Sequence, residues 1–148
     1  MPESERFHPS LTLGEALQIM RSTAPEATMT QKMSATMAQI FEQHDAVHIL
    51  FDCGTSIQDE IAVHLWMNFG TTANLRDMHQ TVANQEHQEV LSSIGHFKLL
   101  GIWCTSLPRI IQIMLKCWQM QRPIDISALD RLKPQTIHTI RSEHGIEL

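Results

Sequence analysis

Two short apolar runs, residues 46–53 (AVHILFDC) and 97–104 (FKLLGIWC), constrain the fold of this chain more than any other feature. Both are rich in β-forming side chains, and Gly54 closes the first. Short apolar runs set between helical patterns read as interior strands of a sheet covered on both faces. The expected fold is therefore α/β, a mixed central sheet of about five strands with helices packed on it.

The remaining segments are assigned around those runs. Ser10 to Arg21 reads as a β-hairpin: Leu11 and Leu13 alternate with polar neighbours, as do Leu17 and Ile19, and Gly14 suits a type II′ turn. Thr28 to Gln31 resembles a capping box opening a helix with Met29, Met33, Met37, Ile40 and Phe41 on one face. Ser56 to Asp59 can cap the next helix, which runs to about Phe69 before Gly70. Thr72 to Glu86 gives another. Pro108 falls in the first turn of a helix whose broad apolar face carries Leu107, Ile110, Ile111, Met114, Cys117 and Trp118, so this helix is expected to be deeply packed. Ile124 to Ile126 forms a last strand, and Pro134 opens a closing helix that Gly145 can stop. The 148 residues make one domain, with residues 1–9 expected to be flexible.

This order resembles the STAS domains of anti-sigma-factor antagonists and sulfate-transporter tails. The likeness rests on Leu17 to Asp52, on Ile94 to Phe97 leading into a strand, and on Ile124 to Ile140. It implies a protein-binding, regulatory role. In the antagonists an Asp-Ser pair carries a phosphoswitch, and that register falls here on Glu60 and Ile61, with the hydroxyls of Thr55 and Ser56 nearby but displaced. The partner-binding role carries over; the switch does not.

Composition narrows the function. A net charge of -5 with scattered Lys and Arg argues against nucleic acid, and no apolar run is long enough to span a bilayer. Three cysteines in no tight pair fit reduced thiols in a cytoplasm. No nucleophile elbow, HExxH or CxxC occurs, so no catalytic residue, metal or cofactor is assigned. Nine His invite a metal, but His44 and His48 are divided between a helix end and a strand start, and His79 and His87 would lie about 12 Å apart on a helix. Ser56, His64 and Asp59 can be written as a nucleophile set, with two of them on one short helix.

Two features remain. Cys53 and Cys104 each end an expected strand, so the loop Cys53, Gly54, Thr55, Ser56 together with Cys104 forms a candidate regulatory or ligand site, or a pair of buried thiols. The helix after Ser56 places Ile57, Ile61, Leu65 and Phe69 toward a core, leaving Val63, Trp66 and Met67 as a second apolar patch. That patch either meets a protein partner, a second copy included, or lies under the helix from Thr72. The expected function is a non-enzymatic interaction or regulatory module, possible as a homodimer. A carrier of a small apolar ligand is the alternative.

Overall fold

The computed structural model describes residues 6–23, 35–73 and 96–147, without the side chains of residues 96–100, 102 and 103. The order is α1 (Leu13–Thr23), α2 (Ala35–Leu50), α3 (Ile57–Gly70), α4 (His96–Gln119), a 3₁₀ turn (Ile126–Ala128), α5 (Leu129–Leu132) and α6 (Ile137–His144). No sheet occurs among the described residues, which overturns the α/β, STAS-like expectation. Two isolated bridges, Thr12 with Thr136 and Thr71 with Ile124, are the β pairings found there.

Each misread strand has a physical reason. The run at 46–53 is the last turn of α2 and the loop after it; Ala46, Val47, His48, Ile49 and Leu50 are all buried, so this end of the helix is covered around its whole circumference. A helix end buried on every side has no 3.6-residue stripe and looks like a buried strand. The run at 97–104 lies within α4, and Pro108 sits in the interior of that helix rather than at its start. Proline there deprives the Cys104 carbonyl of its helical donor, which is tolerable on an exposed surface. The expected hairpin is α1. Thr12 caps it, accepting from the Glu15 amide at 3.2 Å while the Glu15 carboxylate accepts from the Thr12 amide at 2.8 Å. The capping-box reading at Thr28 and most of the Thr72 helix lie outside the described residues.

The turn from α2 to α3 is closely specified. Asp52 adopts a left-handed φ of 49°, the Cys53 amide bonds the His48 carbonyl at 2.9 Å, and the Asp52 amide bonds the Ile49 carbonyl at 3.4 Å. This is the double hydrogen bond of a Schellman motif. Ser56 then caps α3 in a capping box with Asp59, as the sequence indicates. The closing helix is present, but Thr136 caps it and it begins at Ile137 rather than at Pro134; it ends as expected at Gly145, left-handed at φ 67°.

Packing runs from α1 to α2, α2 to α3 and α3 to α4, with α6 against α2. Phe51 stacks on Trp66 with centroids 4.1 Å apart. Gly70 is needed beside them, because a Cβ there would lie 3.1 Å from both rings.

Candidate metal centre

α2 continues unbroken through residues 44 to 48, so His44 and His48 are one turn apart on a single helix face. This corrects the reading that divided them between two elements. Opposite them, the first turns of α3 present Glu60. Its two oxygens face the two rings: His44 Nε2 lies 3.3 Å from Oε2, and His48 Nε2 lies 3.3 Å from Oε1. One donor atom from each of the three residues falls within 4.8 Å of the others.

The ring orientations are fixed from behind. His48 is buried, and its Nδ1 is 3.3 Å from the Cys53 carbonyl. A carbonyl only accepts, so Nδ1 carries a proton and Nε2 is the atom turned toward Glu60. The Schellman turn that bonds the Cys53 amide to the His48 carbonyl therefore also sets this ring. His44 packs edge-on against His48 at 4.7 Å between centroids, and His64 flanks His44 at 6.1 Å. His64 Nδ1 donates to the Glu60 carbonyl at 2.7 Å.

Charge follows geometry. Burial alone would raise the Glu60 pKa, yet hydrogen bonds from His44 and His48 outweigh it and hold the carboxyl well below the usual range. Burial would lower that of His48, but the Glu60 carboxylate and the Cys53 carbonyl more than compensate and raise it. In the metal-free state a proton on His48 thus bridges the site. Burial raises the pKa of Asp45 beside it, with His44 and Arg21 opposing; Arg21 Nε is 3.9 Å away.

The residues singled out from sequence fall elsewhere. Val63, Trp66 and Met67, expected as a contact patch, are 0%, 3% and 0% exposed, whereas Ile57 and Phe69, expected in the core, are each 52% exposed. α3 is turned the opposite way from the expectation: Trp66 stacks on Phe51, and α3 packs against both α2 and α4. Cys53 is buried and Cys104 is exposed on α4, so they do not share the ends of neighbouring strands. Gly54 lies where a Cβ would collide with the Arg6 guanidinium and the Asp59 carboxylate. Thr55 and Ser56 are exposed, and the Ser56 hydroxyl donates to Asp59 at 2.7 Å. Asp59 also accepts from Arg109 at 2.7 Å, and His64 addresses a backbone carbonyl, so Ser56, His64 and Asp59 form no triad.

The missed residues left a signal. Two His four apart, followed by a Glu at the start of the next capped helix, place three ligands together once residues 46–50 are read as helix. No protein-family profile, no curated protein and no solved structure matches the chain.

Among the described residues, no helix is long and apolar enough to cross a membrane.

Proposed function

We propose that this protein binds a divalent transition metal, best matched by zinc, through His44, His48 and Glu60, and uses it as a Lewis acid toward a small substrate. The observation that carries this reading is spacing. Ligands about 2.0–2.1 Å from a tetrahedral zinc lie about 3.3 Å from one another. The Nε2 atoms of His44 and His48 each lie 3.3 Å from Glu60, on different oxygens of it, and one donor atom from each of the three residues falls within 4.8 Å of the others, so a small inward movement of the side chains brings them to that spacing. Two imidazoles and one carboxylate are a zinc-type donor set, and three protein ligands leave a fourth position for water or substrate, the pattern of catalytic rather than structural zinc. The Cys53 carbonyl behind His48 is the outer partner that a ligating His ordinarily has. Bound there, the metal would lower the pKa of a coordinated water and polarise a substrate oxygen.

This reading departs from the non-enzymatic module expected from the sequence. Calorimetric titration of chelator-treated protein with zinc tests it. One ion per chain is expected, with His48→Ala and Glu60→Ala each weakening binding at least about 100-fold and His64→Ala by less than tenfold. Cobalt substitution should give the intense visible bands of a tetrahedral site. Absence of stoichiometric binding in folded protein, or equal binding by Glu60→Ala, would overturn the proposal.

A further inference from the structure

α4 carries a feature that the metal centre does not use. Leu107, Ile111, Met114, Leu115 and Trp118 are 49%, 56%, 37%, 50% and 81% exposed. At 100° per residue they share an arc of about 100°, along about 16 Å of helix. The exposed Cys104 falls on the same arc and the exposed Pro108 just beyond its edge, and the buried Ile113 and Ser106 face the opposite way, toward the body of the protein. The deep burial expected of Ile111 and Trp118 is therefore corrected: among the described residues, this helix packs by one side.

We propose that two copies of this chain pair through this face, α4 against α4 about a twofold axis near Ile111. Three observations select a second copy. The five side chains leave on the order of 500 Å² of apolar surface open, at the upper end for a monomer and a fitting centre for an interface of about 800 Å² per partner. The neighbouring positions on the helix are Gln112 and Gln119, and the five residues of the stripe are all uncharged, so a twofold through it places no like charges in opposition. A single apolar stripe along one helix can meet its own reversed copy, which is what a twofold interface requires. A lipid surface fits less well. The chain's net charge is -5, Arg109 on this helix is bonded to Asp59, and Lys116 is half-buried away from the stripe.

The test is light scattering coupled to size exclusion on the full chain, from roughly 1 to 100 µM, the range expected for an interface of this size. Twice the 16.9 kDa chain mass is expected at the upper end. Trp118→Glu and Ile111→Glu should each weaken association at least tenfold while keeping the helical circular-dichroism spectrum. Because Trp118 is the more exposed, its variant remains informative if the other fails to fold. Ile111→Cys should form a reducible covalent dimer. A wild-type monomer throughout the range, or a dimer that both Glu variants leave intact, overturns the proposal. So does a monomer that sediments with phosphatidylglycerol vesicles, which would assign the face to lipid.

Discussion

The Nε of Arg141 donates to the Leu50 carbonyl at 2.9 Å, across 91 residues of chain, and its Nη2 reaches the Ile49 carbonyl at 3.1 Å. One buried guanidinium on α6 thus supplies a donor to the Leu50 carbonyl and a second donor to the Ile49 carbonyl, which the Asp52 amide also reaches, in the turn that carries His48. Arg141→Met keeps much of the stem but takes away the donor of the Leu50 carbonyl, at a cost of about 1–3 kcal/mol. Chemical denaturation should report that loss, together with about tenfold weaker zinc binding in the protein that remains folded.

The protonated bridge between His48 and Glu60 makes a pH signature. His48 has a raised pKa in the fold, so its contribution to stability is complete below its unfolded value and disappears as pH rises through the raised one. Glu60 has a depressed pKa, so its contribution is present above the ordinary carboxylate range and disappears as pH falls. Metal-free protein should melt highest between these limits. Saturating zinc replaces the His48 proton and should remove the alkaline decline, and zinc affinity should climb with pH through the His48 range. Melting curves from about pH 4 to pH 9, with and without zinc, measure both. A metal-free Glu60→Gln variant should show a flatter profile.

Trp66 and Phe69 differ by less than a turn of α3 and should respond oppositely. Trp66→Ala removes a ring that is 3% exposed and stacked on Phe51, a loss of about 3–5 kcal/mol. Phe69→Ser, at a position 52% exposed, should cost less than about 1 kcal/mol. Neither should change the assembly state. A larger loss from Phe69→Ser than from Trp66→Ala would mean that α3 faces the other way.

The thiols should separate by reactivity. Burial drives the Cys53 pKa up to about 12 and that of Cys117 up to about 11. Both should resist a thiol reagent at neutral pH until the protein unfolds, because the thiolate is the reacting form. Cys104 is exposed and should be modified within minutes in dilute protein. Mass spectrometry of the labelled peptides assigns each site.

The legible parts of the sequence were those with local chemistry of their own. The Ser56–Asp59 capping box and the Gly145 stop each use hydrogen bonds within a few residues, and both are present in the fold. The identity of the apolar runs depended on what covers them. Val47, Ile49 and Leu50 are β-branched or large, and they are buried in a helix by neighbours that periodicity does not encode. Reading that run as a strand also separated His44 from His48 and hid the site. In α3, both faces are apolar, so pattern alone does not choose between Trp66 and Phe69; the seat of Trp66 against Phe51 does.

The turn at Asp52 joins two helices whose electrostatic poles are opposite. His48 lies in the last turn of α2, whose carbonyls carry partial negative charge that the Arg141 guanidinium partly offsets, and Glu60 lies near the first turn of α3, where amides carry partial positive charge. The amides favour the anionic form of that carboxylate, and the short turn holds it opposite the two imidazoles. Lengthening the loop would carry the two poles apart and so weaken a cation's hold without altering any of the three side chains that touch it.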